Sequence, residues 1–173
     1  MRTVGLWILV GLVAGLLGPA PVLAEEGPRV AFIDLRKAVF SSRDGKAAQQ
    51  EFARLEEKKL EDLRPMRDEL QRLQEEVEKQ KYLITEEALA TRQMEIMKRR
   101  RDLERDIRAA EDDLQLEQVR LLQPIQKMVG KVVEELGKEK GFAMIVDKNI
   151  RGFVYTDKSL DVTELVVKKL NKK

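Results

Sequence analysis

The chain has 173 residues, of which 37% are charged and only 5% aromatic, with a formal net charge of +2. That length suits one domain of ordinary size, but so much charge and so few aromatics point to long helices or a coiled coil rather than a deep globular core. There is no cysteine and no histidine, which excludes a disulfide framework, most zinc sites and any Ser/His/Asp or Cys/His catalytic group.

The N-terminus departs from this hydrophilic character. Arg2 precedes an apolar run from Val4 to Leu17, then Gly18-Pro19, then Val22-Leu23-Ala24 ahead of Glu25-Glu26. A short basic start, an apolar segment and a small residue at a cleavage position describe a signal peptide. The run is shorter than the ~20 residues that a membrane helix needs. Residues 1–24 are therefore predicted to be removed after Ala24, leaving an exported mature chain; uncleaved, the same run would serve as an anchor.

Residues 29–34 follow as a first strand. Val30 and Phe32 point to one face, Ala31 and Ile33 to the other, and both faces are apolar, so burial on both sides is expected. Asp34 can cap a short helix over 35–40 by accepting the free N–H groups of its first turn. Ser41, Ser42, Asp44 and Gly45 then interrupt the chain and supply a second cap.

A long helix is predicted over 46–82. Leu63, Met66, Leu70, Leu73 and Val77 recur at spacings of three and four and form an a/d seam that Ile84 extends. Pro65 lies inside it and is expected to kink or locally break the helix, because it removes a backbone donor. Thr85 caps a second long helix, with Glu86 and Glu87 in the first turn where the helix dipole favours negative charge. Its seam is Leu89, Ile96, Leu103, Ile107, Ala110, Leu114 and Leu121, and Arg100 and Glu117 occupy seam positions too. With a turn near 83–85 the seams face each other antiparallel, giving an arm about 55 Å long. Pro124 marks the predicted junction of arm and body. Pro65 and Pro124 either lend the arm flexibility or leave it statically kinked.

Past that junction Ile125, Met128, Val129, Val132, Val133 and Leu136 form a wider apolar stripe suited to packing on a sheet, and Gly141 ends the helix. Residues 142–147 and 152–155 are predicted to pair as a hairpin around a turn at 148–151. A final helix starts at Ser159 or Asp161, with Asp161 and Glu164 placed as a capping box.

The fold class is thus α+β. A signal peptide covers 1–24. A β-rich body with packed helices comes from 25–45 and 124–173, and an antiparallel coiled-coil hairpin over 46–123 is its arm. Three short strands cannot shield both faces of a sheet. The body is therefore expected to assemble with other copies through Val30, Phe32, Ile33, Met144, Ile145, Val146 and Val154.

Shape constrains function more than any motif does. Between 44 and 123 there are 17 Lys and Arg against 21 Asp and Glu, and the rest of the mature chain has 15 against 10. This is not the concentrated basic footprint of a nucleic-acid binder, so no nucleic-acid partner is expected. The densest basic run, Lys98-Arg99-Arg100-Arg101, either pairs with Glu95, Asp102 and Glu104 along a solvated face or attracts anionic lipid or acidic segments. Asp112-Asp113 sit side by side on an exposed helix and do not converge on one pocket. No catalytic, metal or cofactor site is predicted, and the chain is not expected to be an enzyme. Met66, Met94 and Met97 either fill the seam or offer a soft, adaptable contact surface.

Six segments, in order around the heptad-rich insertion, carry a family resemblance. They are Val30-Ala31-Phe32-Ile33-Asp34, Val39-Phe40-Ser41-Ser42, Gly45-Lys46-Ala47-Ala48, Leu122-Gln123-Pro124-Ile125, Glu139-Lys140-Gly141-Phe142 through Val146-Asp147-Lys148-Asn149, and Leu160-Asp161-Val162-Thr163. Over nearly all of the mature sequence the chain resembles the Skp (OmpH-like) family of periplasmic chaperones. The resemblance implies a homotrimer with a β-barrel body and three helical tentacles around a central cavity. It implies ATP-independent holding of unfolded outer-membrane β-barrel proteins in the periplasm, without a cofactor. Met66, Met94 and Met97 would then be client contacts, and a weak contact with anionic lipid or lipopolysaccharide would be a further partner. Members of the family carry positive charge towards the tentacle tips. Here Glu75, Glu76, Glu78, Glu86 and Glu87 stand against only Lys79 and Lys81. The residues alone also allow a rival from another class, a coiled-coil spacer or adaptor of the cell envelope with one fixed partner.

Overall fold

A computed structural model describes residues 27–172; the predicted signal peptide and its cleavage site lie outside the described residues. The elements run β1 (Val30–Ile33), α1 (Leu35–Ser41), α2 (Arg43–Gln80), α3 (Glu86–Lys140), β2 (Met144–Asp147), a 3-10 turn (Lys158–Leu160) and α4 (Thr163–Leu170). At 1.5 Å per residue α2 is about 57 Å long and α3 about 83 Å.

Local chemistry sets the helix ends. The Asp34 carboxylate accepts the Lys37 N–H at 2.8 Å and starts α1. Ser42 works in both directions: its hydroxyl donates to the Val39 carbonyl at 2.6 Å and accepts the Gly45 N–H at 3.0 Å, closing α1 and opening α2. The Thr85 hydroxyl accepts the Ala88 N–H at 3.2 Å at the start of α3. Gly141 closes α3 in the left-handed conformation, φ 67°, where a residue without Cβ meets no steric cost.

Neither proline breaks its helix: α2 continues through Pro65 and α3 through Pro124. A proline deprives the carbonyl four residues earlier of its partner. Here those carbonyls belong to Glu61 and Arg120, both exposed residues, so water can satisfy them while seam residues on either side hold the helix.

Two separate hydrophobic clusters organise the chain. The body cluster joins Ala31 and Ile33 of β1, Ala38 and Val39 of α1, Val129, Val132 and Leu136 of α3, and Val166, Val167 and Leu170 of α4. The arm cluster joins Leu63 of α2 with Leu103 and Ala110 of α3, flanked by Met66, Leu70 and Ile107. One helix therefore belongs to both. The first part of α3 zips onto α2, and its last turns pack in the body.

The sheet differs from the sequence expectation. β1 and β2 pair in parallel, with Val30 opposite Met144 and Phe32 opposite Val146. On the other side of β1, Phe32 forms a parallel bridge to Asp161, and the Phe32 carbonyl accepts the Val162 N–H at 2.8 Å. The predicted hairpin of 142–147 with 152–155 does not form. The long excursion through α1, α2 and α3 is a crossover, the kind of connection that parallel pairing requires. β2 spends its hydrogen bonds on β1, and residues 153–157 run without a strand partner among the described residues. Burial of β1 is also one-sided, with Ala31 and Ile33 buried and Val30 and Phe32 only half-buried. The last helix starts later than predicted, at Thr163. The predicted capping box does not form: Asp161 accepts the Thr163 N–H at 2.9 Å, ahead of Val162 as the N-cap, and Glu164 meets Lys37 at 2.7 Å. The α+β class stands, with a small two-stranded sheet and a long helical hairpin.

Candidate functional site

The arm is a thin zipper. Leu63, Leu73, Leu103 and Ala110 are its buried positions, and two ion pairs cross between the helices, Lys59 to Asp113 at 2.7 Å and Arg99 to Glu69 at 3.1 Å. Arg99 is thereby drawn out of the basic run to fix helix register, while Lys98, Arg100 and Arg101 stay exposed. The three methionines part company. Met66 lies against the arm cluster and fills the seam. Met94 and Met97 are 57% and 54% exposed and lie outside it. Pro65 and Pro124 both face solvent.

At the far end the connection between α2 and α3 exposes Tyr82 and Leu83 at 86% and 83%. Lys81 stacks its ammonium 5.0 Å from the Tyr82 ring centroid and pairs with Glu78. The sequence alone did not single out these two residues. The available signal was the connection Lys81-Tyr82-Leu83-Ile84, which lacks the Gly, Asn, Asp, Ser or Pro usual in a tight turn. At the root of the arm, Phe40, Ala48, Phe52, Leu121 and Leu122 line an apolar cleft of about 110 Å³, also unforeseen.

The body presents a second exposed apolar surface around β2 and the strand-free segment after it. Met144, Ile150, Phe153 and Tyr155 are exposed, and Val154 is wholly so. Phe153 is held by an edge-on contact with Phe32, ring centroids 5.4 Å apart. Of the residues expected to mediate assembly, Met144 and Val154 lie on this surface and Val30, Phe32, Ile145 and Val146 are half-buried. Ile33 is only 2% exposed inside the chain's own core, so it is not available for contact with another copy.

A polar knot ties the body together beside this surface. Lys148 lies 2.9 Å from Asp161 and 3.7 Å from Asp34. The Asn149 amide donates to Asp34 at 3.0 Å, and the Thr163 hydroxyl accepts the Asp34 N–H at 2.9 Å. The Lys37 N–H, together with Asn149 and Lys148, holds the Asp34 carboxyl below its ordinary value against the opposing effect of burial. Burial pushes Asp161 up, but the Thr163 hydroxyl and N–H and Lys148 outweigh it, and the net shift is downward. Lys148 is raised, chiefly by its hydrogen bond to Asp161. The carboxylates therefore stay ionised and the amine charged, as suits a structural latch rather than acid–base chemistry. Among the described residues no group of three or more acidic, His or Cys side chains is placed to hold a metal ion. No helix among them is long and apolar enough to cross a membrane.

The family model described as outer membrane protein (OmpH-like) matches residues 29–170. A crystal structure of a proposed outer membrane chaperone (OmpH-like) from Caulobacter crescentus is similar to this chain, with a TM-score of 0.66 at 18% sequence identity. It covers 92% of this chain and 89% of the other. At that identity the likeness establishes the fold. No curated protein matches the chain.

Proposed function

The chain belongs to the OmpH-like family, and from that premise we propose that it is an ATP-independent holdase of the periplasm. It binds unfolded outer-membrane β-barrel proteins between helical arms and prevents their aggregation. The observation that carries this reading is the arm itself. It is a hairpin of two helices with its own hydrophobic cluster, separate from the body core, and bearing exposed Met94, Met97, Leu116 and Val119 outside that seam. Soft, dispersed apolar groups on a long polar arm suit weak contacts to many sequences, and several arms on one body would add effective concentration without a tight site.

The body, 25–45 with 124–173, would hold such arms together as a homotrimer. Supporting this, among the described residues β2 pairs only with β1. The segment after β2 is extended and exposes Ile150, Phe153, Val154 and Tyr155. An open strand edge beside an apolar strip is a surface that folded proteins normally cover.

The test is direct. Unfolded outer-membrane protein is diluted from urea into buffer with the mature protein, and light scattering is followed. Full suppression at one assembled oligomer per client, without nucleotide, supports the holdase. Undiminished scattering would defeat it and leave the envelope spacer as the better account.

A further inference from the structure

The tip of the arm combines exposed apolar side chains with one-sided charge. Tyr82 and Leu83 are nearly fully exposed side by side, at the point where the chain turns furthest from the body. Around Tyr82 and Leu83 the charge is one-sided: between residues 75 and 95 there are six Glu against three Lys and Arg, and the exposed basic run that starts at Lys98 lies further back along α3, beside Met97. Two of the cations are already engaged within the arm, Lys81 with Glu78 and Arg92 with Glu95. Glu86 and Glu87 are exposed in the first turn of α3. Just behind them Ala90, Met94 and Met97, at helical spacings of four and three, share one exposed face of α3. These residues stand outside the arm's buried cluster, which is made by Leu63, Leu103 and Ala110 with Met66, Leu70 and Ile107.

We infer that the arm tip is a recognition site for unfolded segments that interleave apolar side chains with Lys and Arg. This deepens the proposed holdase reading and rests on it. Tyr82 and Leu83 supply the apolar contact, and Met94 and Met97 adapt to varied side chains. The excess of glutamates selects the sign of the partner's charge. An exposed carboxylate excess attracts cationic segments and repels anionic ones at a range set by ionic strength. The same field disfavours an anionic lipid surface, so the tip takes a polypeptide rather than a membrane. The selection raises the rate of capture and the choice of segment more than the strength of the final grip.

The test uses the full mature protein and three labelled disordered peptides of equal length. Each has Phe residues spaced by Gly and Ser, and they differ only in carrying Lys, Glu or Gln between them. Fluorescence anisotropy is expected to show the Lys peptide binding about tenfold more tightly than the Glu peptide at low salt, with the preference collapsing at high salt. Y82S/L83S should weaken the Lys peptide several-fold. E75Q/E86Q/E87Q should bring the Lys and Glu peptides together, with helix content by circular dichroism unchanged. Salt titration of the wild-type protein tests the charge claim without any variant. Equal binding of the Lys and Glu peptides by the wild-type protein overturns the inference. So does Lys-peptide binding indifferent to Y82S/L83S, or tip-dependent binding to vesicles of anionic lipid in preference to the Lys peptide. If the wild type suppresses client aggregation yet shows any of these results, the tip inference falls and the holdase stands. If the wild type shows the expected peptide selectivity but fails to suppress aggregation, the holdase reading falls on its own assay.

Discussion

Lys148 Nζ lies 2.9 Å from the Asp161 carboxylate and 3.7 Å from that of Asp34, joining the end of β2 to the starts of α1 and α4. The side chains of all three are no more than about a third exposed. Replacing the lysine would leave two carboxylates facing each other with only Asn149, Thr163 and the Lys37 N–H for company. Lys148→Met is expected to destabilise the body by about 1.5–3 kcal/mol, the range for hydrogen bonds to charged groups, measured as a lowered urea midpoint.

The acid dependence of the same latch has a defined sign. Asp34 and Asp161 both titrate below the ordinary 3.8. Their contribution to stability is therefore complete above that value and is lost as pH falls through their folded values. Lys148, raised above 10.5, contributes fully below 10.5 and loses its part only as pH rises through its folded value. Between those limits stability from the latch should be flat. Lys148→Met should shift the acid limb of a pH–stability curve upward, because the carboxylates lose a stabilising cation. An acid limb at unchanged pH in the variant would show that the latch does not set it.

Much of the fold was legible where the signal is local. Asp34, Thr85 and Gly141 act at the helix ends the sequence assigned to them, because capping depends on residues within one turn. The seam residues Leu63, Leu103 and Ala110 were legible from periodicity alone. Partnership across the chain was not. Residues 142–155 have the apolar runs and turn residues of a hairpin, yet β2 chooses β1, over a hundred residues earlier, and that choice depends on the crossover returning to the same place. For the same reason Lys148 gave no sign of its two partners. Met94 and Met97 show the limit of a periodicity argument at the arm: they lie near seam positions in sequence but turn outward, and only Met66 packs inward.

Gly45 fixes how the arm leaves the body. It is buried at the α1–α2 junction, and a Cβ there would sit 1.9 Å from the Val39 carbonyl oxygen and 2.8 Å from its carbon. Backbone cannot give way as a flexible side chain can. Gly45→Ala must therefore push α2 away from the end of α1 and break the Ser42 double hydrogen bond. A loss of about 1–3 kcal/mol is expected from overpacking, with about 1 kcal/mol more if the cap is lost. Ser42→Ala alone should show the smaller effect. Thermal melts of the two variants and the wild type order the three; a Gly45→Ala melt equal to wild type would contradict the close approach.

Because the arm and body clusters are separate, damage to one should spare the other. Leu103 is buried in the arm cluster, to which α2 contributes Leu63, Met66 and Leu70. Leu103→Ala should cost about 2 kcal/mol, the low end for a core truncation, since a two-helix seam can partly collapse on the gap. The expected readout is faster hydrogen exchange and protease cleavage in the middle of α2 and α3, with protection of β1, β2 and α4 unchanged. Val166→Ala, at a wholly buried body position, should do the opposite. Loss of protection across both regions in either variant would show a single cooperative unit.

The apolar strip after β2 allows the proposed assembly to be tested apart from folding. Val154 is wholly exposed and Tyr155 nearly so, and neither belongs to the subunit's own core. Introducing charge there should leave the monomer's fold intact, because water already surrounds both side chains. If the strip is covered by another copy, V154D/Y155D would place two carboxylates in a desolvated interface at a cost of several kcal/mol, enough to dissociate it. Light scattering should then give a monomer mass with unchanged circular dichroism, whereas Phe153→Asp should also disturb the fold through its contact with Phe32. A V154D/Y155D protein that keeps the wild-type mass would count against assembly through this strip. Met144, exposed on β2 beside this strip, would be the next residue to substitute.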